Sequence, residues 1–218
     1  RLSPQDITGF MVATGIVKQS EVDLAKAPHL ARILAIDAFW PTSATETGTG
    51  EMVTAVEDAV RMGVDCIKML LPWQVSDIEK VQYCKRIGKV VGEAAKWDMP
   101  VMVEPVFLNV ARSPEIIEAE LEVARVGYDL GADIIKITFP GVDATAKLCA
   151  ELDIPIVVAG GPMSGDAKST LRDIRESIEA GAQGVVVGRK IWQRPEAEAA
   201  DMIKEIAGYT RKSYTRKW

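Results

Sequence analysis

Seven short apolar runs punctuate the chain, at 10–17 (FMVATGIV), 31–37 (ARILAID), 64–71 (VDCIKMLL), 100–106 (PVMVEPV), 132–139 (ADIIKITF), 154–160 (IPIVVAG) and 184–188 (GVVVG). Each is rich in Val and Ile and is followed by turn residues, which predicts β-strands. Their hydrophobicity is nearly continuous rather than alternating. That pattern belongs to strands covered on both faces, as in a parallel sheet.

Helical patterns lie between the runs. Ser76-Asp77-Ile78-Glu79 has the form of a capping box and opens a helix reaching about Lys96. Ser113-Pro114 opens another, with Ser as N-cap and Pro at the first helical position, and this helix closes near Gly131. Glu51 to Arg61 and Ser169 to Glu179 carry apolar residues at helical spacing and end at Gly63 and Gly181. Strand and helix therefore alternate in the rhythm of βα units. The phrases MGVDCIKM, LGADIIKI and AGAQGVVV repeat one device, a helix-ending glycine that leads into the next strand. With no Gly-rich dinucleotide loop after the first run, a closed barrel is favoured over an open doubly wound sheet.

The expected fold is thus α/β, a (β/α)8 TIM barrel forming a single domain over residues 1–218. A complete barrel has eight strands. The chain is therefore expected to lack the first strand and its helix, and LSPQDITG reads as the tail of a helix feeding Phe10.

Composition narrows the chemistry. A net charge of −5 argues against a nucleic-acid or anionic-membrane partner, while leaving a small anionic substrate open. Cys66, Cys84 and Cys149 are widely spaced, with no Cys-x-x-Cys pair and His29 as the single histidine. This predicts reduced thiols and neither a disulfide framework nor a metal site. No apolar run approaches the roughly 20 residues of a membrane helix, and RLSPQDI has no secretory core, so the cytoplasm is the expected location.

Three consecutive predicted strands each set one ionisable residue among apolar neighbours: Lys68 in CIKML, Glu104 in VMVEP and Lys136 in IIKIT. Alternation puts Lys68 on the face of Cys66 and Leu70, Glu104 on that of Met102, and Lys136 on that of Ile134 and Thr138. The opposite faces, Val101 with Val103 and Ile135 with Ile137, suit the helix layer. A lysine on such a strand is expected to point into the barrel, toward the carboxyl-end site of the fold. Burial and a second nearby amine disfavour ammonium, which predicts a neutral amine able to form an imine. Glu104, between the two lysines, is placed to move protons. The competing structural reading is a buried Lys–Glu–Lys ion network; burying three charges without excellent pairing is costly, which favours a functional role.

Two glycine turns follow the last strands. Gly160 and Gly161 sit in AGGP, and Gly188 and Arg189 in VGR. Turns at these two places form the usual phosphate site of a barrel, where backbone N–H groups approach closely and an arginine adds a charged contact.

The phrases GVDCIKMLLPW, MPVMVEPV, GADIIKITFPG, PIVVAGGP and GAQGVVVGRKIWQ together resemble the class I (Schiff-base) aldolase family of the DeoC/LacD and archaeal fructose-bisphosphate type. They are nearest to its tagatose-bisphosphate and sulfofructose-phosphate branches and run from about Val64 to Gln193 in family order. The resemblance implies a metal-independent and cofactor-independent aldehyde-lyase acting on a phosphorylated ketose, usually as a homo-oligomer. It makes Lys136 the Schiff-base lysine, Glu104 the acid/base and Lys68 the assisting lysine. Gly160, Gly161, Gly188 and Arg189 fall on the phosphate-binding turns. The chain departs from the archaeal branch in having no tyrosine between Pro100 and Asn109, and Met163 stands where a lysine often follows GGP. Members with an aspartate on the first strand cannot be matched to it.

The alternatives are a transaldolase-like or thiolase-like transferase on the same lysine, and a non-catalytic phosphosugar-binding barrel. Asp37, at the end of the second run, reads equally well as a hydroxyl contact, an N-cap or a solvated loop acid. Trp40 and Trp73 read as packing residues or pocket walls, His29 as a surface residue, and Lys212 to Lys217 as a solvated tail or subunit contact.

Overall fold

The computed structural model describes residues 6–37, 51–107, 110–161 and 166–214. Every predicted strand is present: β1 (Gly9–Ala13), β2 (Ala31–Ala35), β3 (Cys66–Pro72), β4 (Val101–Val106), β5 (Ile134–Thr138), β6 (Ile156–Ala159) and β7 (Gly184–Val186). Their order in the sheet follows the chain.

Two compact units make up the chain. The first, Gly9–Ile135, holds β1 to β4 and the start of β5. Its pairings are all parallel, with Ala35 opposite Lys68, Leu70 opposite Glu104, and Val103 opposite Ile135. Helices α1 (Thr14–Gln19), α2 (Glu21–Ala25), α3 (Val56–Arg61), α4 (Asp77–Ala94) and α5 (Pro114–Asp129) alternate with these strands. Val101, Val103 and Ile135 are buried, as expected of the helix-facing side. Their cover is α5: a methyl group on Gly127 would lie 3.0 Å from Ile135 Cδ1 and 3.2 Å from Val103 Cγ1. A larger residue there would have to push these two side chains back by a few tenths of an ångström, so the glycine lets helix and sheet pack closely.

The second unit, Lys136–Trp218 with Arg1–Thr8, carries the rest of β5 and then β6 and β7, paired in parallel. Its helices are α6 (Val142–Glu151), α7 (Ala167–Glu179), α8 (Arg189–Trp192) and α9 (Glu196–Tyr214). Its core joins Ile174 of α7 and Ile191 of α8 to Met202, Ile203 and Ile206 of α9, with Ile7 packed against them.

The repeated helix–glycine–strand phrase has a repeated structure. Gly63, Gly131 and Gly181 all take positive φ (65°, 92° and 116°), which turns the chain out of its helix. Two residues on, a side chain accepts a hydrogen bond from the first residues of the neighbouring strand. Asp65 Oδ2 takes Arg32 N, Asp133 Oδ2 takes Val101 N, and Gln183 Oε1 takes Ile156 N, each at 2.8 Å. The backbone N–H groups of Asp65, Asp133 and Gln183 donate in return to the carbonyls of Arg32, Val101 and Ile156, each at 2.9 Å. This two-bond clamp fixes parallel register at the strand start, where a one-residue slip would exchange the two faces.

The caps form as read. Ser76 and Glu79 make both bonds of the capping box at α4, and Ser113 caps α5 ahead of Pro114. Three boundaries differ from the sequence expectation. The run at 10–17 is a strand only to Ala13 and then becomes α1, because a short apolar run does not itself distinguish strand from helix. The helix expected from Glu51 begins only at Val56. The stretch before it is drawn into extended pairing, with Met52 bridged to Asp37 and Val53 N donating to Ile36 O at 2.8 Å. Asp6 to Thr8 form a bend rather than the tail of a helix.

Candidate active site

In the first unit, β3 and β4 bring Lys68 and Glu104 together. Lys68 Nζ lies 2.8 Å from Glu104 Oε2, and the two side chains are only 7% and 16% exposed. Lys68 stands opposite Met102 and Leu70 opposite Glu104. The amine therefore reaches one level along the same face to its carboxylate. Both residues sit in mid-strand rather than at the carboxyl end of their runs.

Asp37 joins Lys68 and Glu104 on this face. The Ile36 amide donates to Lys68 O at 3.2 Å, continuing the β2–β3 ladder past Ala35. Alternation then carries Asp37 onto the face shared by Ala35 and Lys68. Lys68 is thus flanked by a carboxylate on each neighbouring segment. Asp37 is 8% exposed, and its Oδ2 accepts the Leu70 amide at 2.6 Å. Its Oδ1 is buried and has no hydrogen-bond partner among the described residues.

Burial pushes the Asp37 carboxyl above the usual carboxylate range, and the Lys68 charge and the Leu70 amide only partly oppose it. Because the raised value belongs to the folded state, the folded chain holds this proton more tightly than the unfolded one. Asp37 therefore lowers stability as pH rises from the ordinary carboxyl value through the raised one, and the loss persists above it. Asp37→Asn keeps a carbonyl for the Leu70 amide and is expected to raise the thermal midpoint at neutral pH. The gain should vanish when the same melts are run below the ordinary carboxylate range; a gain independent of pH would contradict the assignment.

In the second unit, Lys136 is the third residue of β5 and is 6% exposed. Its successor Ile137 is fully buried, on the opposite face. At the end of β6, Gly161 takes φ +71°, a conformation that favours glycine. A methyl group there would lie 3.8 Å from Thr138 Cγ2, so the turn approaches the end of β5. The Gly160 amide donates to Val186 O at 3.1 Å, which holds the β6 turn beside β7. Gly188 precedes α8, where an added methyl would meet the Trp192 ring at 2.7 Å, and Arg189 begins that helix with its side chain exposed. Pro162 and Met163 lie outside the described residues.

The other sequence candidates fall as follows. Trp73 is half-buried, with Lys80 Nζ 5.4 Å from its ring centroid, and His29 lies on an exposed turn. Trp40 and the last residues of the basic stretch lie outside the described residues. Cys66, Cys84 and Cys149 form no disulfide among the described residues. Burial pushes Cys66 up to about 12, which makes it a core residue and not a nucleophile. Among the described residues no group of His, Cys, Asp and Glu is arranged to hold a metal ion, and no helix is long and apolar enough to cross a membrane. What sequence reading missed is the double attachment of Asp37, to Leu70 and to the Met52 bridge. Its one signal was an acid directly after an apolar run.

Comparison with known proteins places these residues in a family. The family described as DeoC/LacD family aldolase matches residues 4–194. A 2-amino-4,5-dihydroxy-6-oxo-7-(phosphonooxy)heptanoate synthase of Streptomyces griseus is 30% identical over 162 residues, 71% of this chain and 57% of that protein. A class 1 fructose-bisphosphate aldolase of Thermoproteus tenax is 30% identical over 149 residues, 66% of this chain and 55% of its own length. The chain thus spans little more than half the length of these curated relatives. A solved archaeal fructose-1,6-bisphosphate aldolase, whose catalytic lysine is covalently bound to the carbinolamine intermediate, superposes with a TM-score of 0.75 at 22% identity. That likeness covers 94% of this chain and 80% of the other, and establishes the TIM-barrel aldolase fold. By the extent of the family match and the fold it shares, this chain belongs to the DeoC/LacD family of aldolases.

Proposed function

We propose that the chain, read as one catalytic domain, is a class I aldolase that cleaves or forms a phosphorylated ketose through a Schiff base on Lys136. The observation that carries this reading is a lysine only 6% exposed in the middle of a parallel strand, in a chain of this family. Strand alternation also supports it: within each strand, Lys136 and Glu104 stand on the face opposite the buried Ile135 and Val103. The names of the relatives, a fructose-bisphosphate aldolase and a synthase of a phosphonooxy sugar acid, point to the same substrate class.

In this mechanism Lys136 Nζ attacks the ketose carbonyl carbon, and loss of water from the carbinolamine leaves an iminium. Glu104 removes the proton from the hydroxyl beyond the scissile bond. The electrons of the carbon–carbon bond then flow into the iminium, which releases an aldehyde and leaves an enamine. Protonation of the enamine carbon and hydrolysis return the amine and a three-carbon ketone phosphate. Lys68, paired with Glu104, orients the acid and a substrate hydroxyl. Gly160, Gly161, Gly188 and Arg189 take the phosphate. The same reading makes the enzyme a cytoplasmic homo-oligomer. The transfer reactions and the non-catalytic barrel find less support, since the family is one of aldolases and a fructose-bisphosphate aldolase stands among the relatives.

Borohydride reduction in the presence of fructose 1,6-bisphosphate or tagatose 1,6-bisphosphate, followed by peptide mass mapping, tests the imine. An irreversible mass gain is expected on the peptide containing Lys136. A label on another lysine, or none with either sugar, overturns the reading.

A further inference from the structure

We propose that Asp37 is a specificity-determining residue whose Oδ1 accepts a hydrogen bond from a hydroxyl of a polyhydroxylated sugar phosphate bound beside Lys68. This deepens the reading of the chain as a ketose-phosphate aldolase and rests on it for the substrate class.

Asp37 lies just beyond β2, on the face that carries Lys68 and Glu104. Its two oxygens have different surroundings. Oδ2 is committed to the Leu70 amide at 2.6 Å, where a backbone carbonyl would otherwise continue the ladder. That bond, with the antiparallel bridge to Met52, holds the carboxyl in place. Oδ1 is buried and has no partner among the described residues, in a residue more than nine-tenths buried. Lys68, whose charge bears on this carboxyl, is engaged by Glu104 from the other side at 2.8 Å. Native interiors rarely leave such an oxygen without a donor. A sugar offers donors in its hydroxyls, and a fixed carboxylate distinguishes a sugar from a deoxy chain of the same length, because the deoxy chain leaves the buried oxygen unpaired. The same burial raises the Asp37 carboxyl above its ordinary value.

Equilibrium binding of two probes without a carbonyl tests this by calorimetry: a hexitol 1,6-bisphosphate, and hexane-1,6-diol bisphosphate, which lacks the inner hydroxyls. The intact chain is expected to prefer the hexitol by at least about tenfold. Asp37→Ala should reduce that preference by about tenfold while leaving the hexanediol affinity unchanged. Asp37→Asn preserves the Leu70 contact and replaces the acceptor with a donor; it is expected to lose several-fold in hexitol affinity, which guards against a misfolded alanine variant. An unchanged preference in both variants, equal affinity of the intact chain for both probes, or no hexitol binding at all overturns the proposal. Neither probe can form an imine, so failed trapping at Lys136 alongside the expected hexitol preference would remove the aldolase chemistry and leave the Asp37 contact standing.

Discussion

Lys136→Met is expected to lower kcat/KM for ketose-phosphate cleavage by at least about 10⁴-fold while the protein remains folded. Loss of a covalent nucleophile removes the whole pathway rather than one contact, so the effect falls at the large end of single-residue changes. Methionine has nearly the volume of lysine and no charge, and it suits a site that is 6% exposed between Ile135 and Ile137. Folding is therefore expected to survive, as circular dichroism and thermal melts would show. Lys136→Arg separates the two roles open to a buried cation. Guanidinium preserves charge and hydrogen bonding but does not act as an amine nucleophile at neutral pH. If the lysine serves only as a structural cation, the arginine variant should keep activity within about tenfold of the parent, and the imine mechanism would then be abandoned. If it is the nucleophile, both variants should be equally inactive, and both should lose the borohydride label.

The second large effect is expected at Glu104. Glu104→Gln should lower kcat by about 10² to 10⁴-fold, the usual range for a general acid/base, with a smaller change in KM. It should also destabilise the chain. Removing the charge leaves the Lys68 ammonium, 7% exposed, without the carboxylate 2.8 Å away. Breaking a buried pair from one side typically costs about 3–5 kcal/mol. The lower end is expected here, because the Glu104 side chain keeps 16% exposure and Asp37 carries a carboxyl on the other flank of Lys68. Denaturant midpoints at constant slope would measure the loss. Combining Lys68→Met with Glu104→Gln removes both charges and should restore much of the stability, but none of the activity. A double variant as unstable as the single one would show that the pair is not what holds these strands. Near-normal kcat in Glu104→Gln would transfer the proton step to another group.

Much of the fold was legible because both its periods are local. Val101, Val103 and Ile135 could be assigned to the helix side by counting in twos, and Gly127 confirms that α5 lies on that side. Gly63, Gly131 and Gly181 marked helix ends that do take positive φ. The Asp65, Asp133 and Gln183 clamps were not foreseen, although the echoing phrases contain those residues at one offset. Repetition marked the position, and only pairing with the preceding strand revealed its use. The run at 10–17 and the stretch from Glu51 were misread for one reason: apolar content marks burial, while the competition for backbone partners decides between strand, bridge and helix.

By itself the sequence determined the alternation of strand and helix, the face on which Lys68, Glu104 and Lys136 each stand, and the family to which their motifs point. Those features follow from covalent alternation and local turn chemistry, which act over a few residues. Tertiary structure alone decided that Lys68 reaches diagonally to Glu104, that Asp37 gives one oxygen to Leu70, and that its other oxygen is buried without a partner among the described residues. Such contacts depend on the register between segments distant along the chain, and a pattern of local periods carries no information about which residues of two strands stand side by side.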